Sequence, residues 1–234
     1  MHPDVRNFVH DVMEAIELPD PVVEFGARQV ETNQAGDLRP LFAGRDYVGT
    51  DLFEGPGVDR VEDLRALSFS DGEVGTALCL ETLEHCEDPV AACRELARVV
   101  GEGGVCLVSA PMLIGIHGYP SDYFRFTPEG LRTLLSGFDD VWTAGLGDPE
   151  IPFWVFAVAG RGRSVDLSLD RLPQLAQAQA AWEAARGEFR VGPLRVAPRE
   201  LARIFARELP RVGREQAWRR GHGLGARLRR RRHG

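Results

Sequence analysis

Two short apolar runs of this 234-residue chain end in groups suited to holding a nucleotide-like ligand. Val22-Val23-Glu24-Phe25-Gly26-Ala27 closes on a carboxylate and a glycine. Tyr47-Val48-Gly49-Thr50-Asp51 closes on an acid 25 positions after Gly26. A glycine at a strand end lets backbone approach a ligand, and an acid at the end of the next strand can accept from both ribose hydroxyls. Further along stand Asp63-Leu64, then Glu81-Thr82-Leu83-Glu84-His85. His117 to Arg125 gathers an imidazole, two phenols (Tyr119, Tyr123), Asp122 and an arginine. An imidazole titrates near neutrality and can take a proton from a hydroxyl or amine, and aromatic faces can meet a cation. Each has a plainer alternative: Asp51 as a turn former, Asp63 as a solvated acid, His85 as a turn residue, the aromatics as packing.

The elements that must position these residues follow from pattern. Val5, Phe8, Val9, Val12, Met13 and Ile16 fall at helical spacing, and Pro19 and Pro21 end that helix. Val22–Phe25 is continuous in apolar character, as a strand buried on both faces is. Asp37–Phe42 reads as a short helix and Tyr47–Thr50 as a second strand. Only Leu52 to Val58 then precede a weak strand at 59–61, too little for the usual parallel crossover, so the helix expected there is reduced to a turn around Gly55-Pro56-Gly57. Val74–Leu80 and Val105–Ala110 are strands. Asp88-Pro89 and Thr127-Pro128 cap helices, and strands follow near 140–143 and 153–159. Strand–helix alternation predicts a doubly wound, mostly parallel α/β sheet of six to seven strands with helices on both faces and the last strand antiparallel.

Composition is that of a globular protein, 44% hydrophobic and 27% charged. No apolar run approaches the roughly 18 residues of a membrane span. The N-terminus opens an amphipathic segment rather than a signal peptide. Cys79, Cys86, Cys93 and Cys106 form no CxxC pair; reduced, buried thiols fit the cytoplasm. No zinc-ligand spacing, GxxxxGK[ST] loop or GxSxG elbow is present. The net charge of −7 hides an asymmetry: there is no lysine, and 15 of the 28 arginines lie from Arg186 onward. Gly160-Arg161-Gly162-Arg163-Ser164 marks a boundary between a domain over 1–163 and an Arg-rich helical extension over 164–234 that ends in disorder from Arg227. Its helices suit homodimer or partner contact better than a membrane surface or specific nucleic acid.

The ordered set VVEFGA, YVGTD, Glu62-Asp63-Leu64, LETLEH with Glu87-Asp88-Pro89, and Gly103-Gly104 before a strand resembles a class I S-adenosylmethionine-dependent methyltransferase over about residues 20–160. The resemblance implies S-adenosyl-L-methionine as cofactor and a small-molecule methyl acceptor, sugar-like or a natural-product intermediate, methylated at oxygen or nitrogen. It implies cofactor contacts at Glu24 (methionine amine), Gly26, Arg28, Asp51 and Leu52 (ribose), Asp63 and Leu64 (adenine), Glu81 and Thr82. His117, Tyr119, Asp122, Tyr123 and Arg125 would face the acceptor, with His85, His117 and Tyr123 as candidate catalytic groups. Such transfer relies on alignment, so the lack of a triad does not count against it. The chain departs from the family at Ala27-Arg28-Gln29-Val30, where further glycines are usual. A side chain is costly where φ is positive, so that loop must be rerouted. Otherwise Arg28 blocks the pocket and the chain is a non-catalytic binding module.

Overall fold

The computed structural model describes residues 2–29, 36–117, 121–185, 190, 191, 194 and 195. Seven strands form one sheet: β1 (Val22–Phe25), β2 (Tyr47–Asp51), β3 (Arg60–Val61), β4 (Val74–Leu80), β5 (Val100–Pro111), β6 (Asp140–Gly147) and β7 (Pro152–Gly160). Their order is β3-β2-β1-β4-β5-β7-β6. β1 to β5 pair in parallel, and β7 runs antiparallel to both neighbours. The chain moves outward from β1 to β3, then returns to the other side of β1 with β4. That reversal opens a crevice at the strands' carboxyl ends, where open α/β sheets bind ligands.

All four residues of β1 are buried, as its continuous apolar run requires of a central strand. Alternation sends Val23 and Phe25 to one face and Val22 to the other. On the first face lie α2 (Pro89–Val99), through Cys93 and Leu96, and α3 (Pro128–Leu134), with Leu131. Asp88 and Thr127 cap them with side-chain oxygens, as their positions before proline predict. On the second face α1 (Pro3–Ala15) buries Val5, Phe8, Val9 and Val12, with the Phe8 ring tilted against Phe156 at 4.7 Å between centroids. A 3₁₀ turn at Arg39–Phe42 adds Phe42.

β2 and β3 are joined without a helix. The turn is held by Asp59, whose Oδ2 accepts from Gly49 N at 2.8 Å and from Arg39 at 2.6 Å. β5 begins at Val100, five residues earlier than the apolar run indicates, because Val100 already pairs with Val74. The compact unit that holds the sheet runs to Trp182, beyond the boundary expected at 163. Val165, Leu167, Leu172 and Leu175 join its second core. Asp11 of α1 accepts from Leu175 N at 2.9 Å, pinning the first turn of α4 (Pro173–Ala185). Within the extension expected to be helical, Arg190–Val191 pairs with Leu194–Arg195 as a small antiparallel ribbon. The rest of the expected helical extension and its disordered end from Arg227 lie outside the described residues. Cys79, Cys93 and Cys106 are buried and all four thiols are free.

Candidate functional site

The crevice is built around one tight turn. Gly26 sits at φ +88, and a Cβ there would run into the Thr82 hydroxyl. That hydroxyl lies 2.9 Å from Leu80 O and 3.1 Å from Phe25 O, tying the end of β4 to the end of β1. The N–H groups of Gly26 and Ala27 both donate to Thr50 O at 2.9 Å. Glu81 is the one non-glycine residue with positive φ (51) among the described residues, so Ala27, Arg28 and Gln29 need no glycine. Residues 27–29 run along the β2–β3 turn, with Gln29 N donating to Pro56 O at 2.9 Å. The Arg28 side chain runs along Gly55, its guanidinium carbon 5.8 Å from the Phe53 ring. It thus lies beside the β2–β3 turn. Val30 lies outside the described residues.

Asp51 stands at the end of β2, half-buried. Its Oδ1 accepts from Phe53 N at 3.0 Å and its Oδ2 faces Arg28 N at 3.4 Å. Leu52 beside it is exposed. Glu24 is only 5% exposed and accepts from the Tyr47 hydroxyl. Burial pushes its carboxyl up to about 7, against the Tyr47 hydrogen bond and the Arg39 charge; nearby Asp37 adds to the rise. Glu81 holds its left-handed backbone through Ser109, whose carbonyl lies 3.0 Å from Glu81 N, while its carboxylate accepts from His2 N at 3.1 Å. Non-glycine residues in this region cost about 1–3 kcal/mol and cluster at functional sites. Asp63 is gripped by Arg65 at 2.8–3.0 Å, which holds its carboxyl below the usual range. Arg65 also binds Glu87, which accepts from the Tyr123 hydroxyl at 3.0 Å. Leu64 packs on the first core.

A second group gathers where the segment after β5 crosses the end of β4. Tyr123 N donates to Glu84 O at 2.7 Å. The Glu84 side chain is fully buried, neither carboxyl oxygen has a hydrogen-bond partner, and burial pushes it up to about 8. His85 Nε2 is 3.8 Å from it, and His85 Nδ1 is 2.6 Å from Ser121 O. The His117 ring meets His85 edge-on at 5.3 Å. Asp122 and Arg125 are paired, and Arg125 also donates to Ile114 O at 3.1 Å and Gly115 O at 3.2 Å. Both therefore brace the segment from within. Arg125 holds the Asp122 carboxyl well below the usual range. Tyr119 lies outside the described residues.

The segments that the sequence pattern marks as candidates lie at one end of the sheet, but the pattern did not single out Glu84. Its signal was the adjacent pair Glu84-His85 with a second histidine just past the next strand.

Residues 40–108 match the family model of a methyltransferase domain. No curated protein matches the chain. A SAM-dependent methyltransferase from Archaeoglobus fulgidus superposes at TM-score 0.51 and 13% identity, over 68% of this chain and 95% of its own. A protein from Pyrococcus horikoshii OT3 does so at 0.52 and 14%, over 68% and 89%. The CurJ carbon methyltransferase does so at 0.51 and 14%, over 67% and 54%. Identities this low speak for the fold alone. No described helix is long and apolar enough to cross a membrane.

Proposed function

We propose that this chain, built on the class I S-adenosylmethionine-dependent methyltransferase fold, moves a methyl group from S-adenosyl-L-methionine to an oxygen or nitrogen of a small molecule. The observation that carries the reading is the Gly26 turn at the strand-order reversal, flanked by Thr82 on one side and Asp51 on the other.

The residues present fit the cofactor. Asp51 stands at the crevice edge with lone pairs to spare for two ribose hydroxyls. Gly26 and Ala27 let backbone approach the methionine portion, and the Glu24 carboxyl, in its ionised form, would supply negative charge for its ammonium. Asp63 and Leu64 border the adenine side, with Asp63 oriented by Arg65. The bound cofactor supplies an already activated methyl group. The protein then has to hold an acceptor in line, exclude water and manage one proton. Leu113, Ile116 and Phe124 are exposed apolar side chains available to cover an acceptor. His85 and His117 are the groups at hand for the acceptor's proton chemistry. Four free thiols accord with a reducing compartment.

Arg28, lying along Gly55, supports a working pocket over a blocked one. Fluorescence titration separates the readings. Quenching by S-adenosylmethionine but not by NADH is expected. Folded protein that responds to NADH alone would point to a dinucleotide-dependent oxidoreductase. Response to neither would point to a non-catalytic module.

A further inference from the structure

We infer that Glu84, His85 and His117 form a binding site for a first-row divalent transition-metal ion beside the methyl-transfer crevice. One ligand atom from each of the three lies within 4.8 Å of the others. Bonds to zinc of roughly 2.0–2.1 Å place tetrahedral donors roughly 3.4 Å apart, so side-chain adjustment of about an ångström closes the set.

Two features mark it as more than a chance cluster. The Glu84 carboxyl is fully buried, and neither oxygen finds a hydrogen bond. Buried polar groups are costly unless paired, and among the described residues the one basic side chain in ion-pair range is the His85 imidazole at 3.8 Å. A cation would supply the missing partner. The imidazoles, in turn, are oriented as metal ligands are. His85 Nδ1 lies 2.6 Å from the Ser121 carbonyl, an acceptor, so it carries the proton and leaves Nε2 with a free lone pair toward Glu84. His117 Nδ1 is held by Gly115 O at 3.2 Å and Asp122 at 3.4 Å, and Asp122 is locked in turn by Arg125. Backbone-carbonyl and carboxylate partners on the far nitrogen fix tautomer and ring plane in metal-bound histidines.

Two imidazoles and one carboxylate suit Zn²⁺, Fe²⁺, Co²⁺ or Mn²⁺, whereas Mg²⁺ and Ca²⁺ prefer all-oxygen shells. Three protein ligands leave coordination open, as catalytic sites require. With the His117 side chain 41% exposed, the open side is accessible. The inference deepens the methyltransferase reading and rests on it for its role: the acceptor binds the ion through an oxygen. Its hydroxyl loses a proton to water, the oxygen forms the new O–CH₃ bond, and the C–S bond breaks with its electron pair returning to sulfur. His85 and His117 then serve the acceptor's proton chemistry by holding the ion that acidifies its hydroxyl.

The test is titration of chelator-treated, dialysed full-length protein with Co²⁺ alone, followed by visible d–d absorption and calorimetry. One equivalent should bind with nitrogen–oxygen bands. His117→Ala, at an exposed position that leaves the core intact, should weaken binding on the order of a hundredfold. Glu84→Gln should do the same and, being isosteric, keep the fold. Because the chain has six histidines, binding unchanged in both variants overturns the site, as does no binding by folded wild type. S-adenosylhomocysteine binding is measured separately on wild type. Co²⁺ binding without it keeps the site and removes the methyltransferase role, and the reverse removes only the site.

Discussion

Glu24 is a carboxyl inside a sheet, held by one phenol. Burial lifts it from an ordinary 4.5 to about 7, so the folded chain binds that proton more tightly than the unfolded chain does. The stability this contributes is complete below about pH 4.5 and is lost as pH rises through about 7. Glu24→Gln keeps an acceptor for Tyr47 and removes the titration. It should flatten the fall in urea-measured stability between pH 5 and 8 and add on the order of 3 kcal/mol at pH 8. Profiles that superimpose would show that Glu24 is not buried as described. The same residue shows what sequence can carry: its place in VVEFGA marks it for the cofactor, but its closure by Tyr47 depends on the neighbouring strand. Glu84 is the sharper case. Its letter is ordinary, and its chemistry arises wholly from burial against a segment more than 30 residues on.

At the scale of elements, the Gly26 turn joins β1 to β4 through Thr82. Gly26→Ala combines a positive φ with a collision, so it should lower stability by about 1 kcal/mol or more and weaken cofactor binding at least tenfold in calorimetry. Wild-type affinity would mean that this turn does not line the site. Helix α1 covers the second face through Phe8 on Phe156. Phe8→Ala should cost about 3–5 kcal/mol in chemical denaturation, and a loss under about 1 kcal/mol would show α1 to be peripheral. These elements were legible because Val22–Phe25, Val74–Leu80 and the α1 stripe each carry their period and punctuation in the local sequence. The early start of β5 was not: Gly101 to Gly104 reads as a breaker, and only pairing with β4 makes it strand. Leu172 and Leu175 were likewise assigned to an extension, because nothing local says which core a helix stripe will join.

For the whole molecule, the order of strands does the positioning. Reversal between β1 and β4 brings the Gly26 turn, Asp51 and the Glu81–His85 segment to one end of the sheet. The segment after β5 closes over that end by pairing its backbone with Glu84. Among the described residues of the loop that lacks the usual glycines, only Gly26 takes the left-handed turn, and Arg28 finds space along Gly55. The central claim is that this end of the sheet holds the methyl donor through Asp51. Side-by-side calorimetric titration of wild type and Asp51→Ala with S-adenosylhomocysteine tests it most directly. The account predicts saturable one-to-one binding by wild type, weakened by roughly 1–3 kcal/mol in the variant, the scale for losing a charged hydrogen-bond partner. No heat from well-folded wild type, or equal dissociation constants for the two proteins, would contradict it.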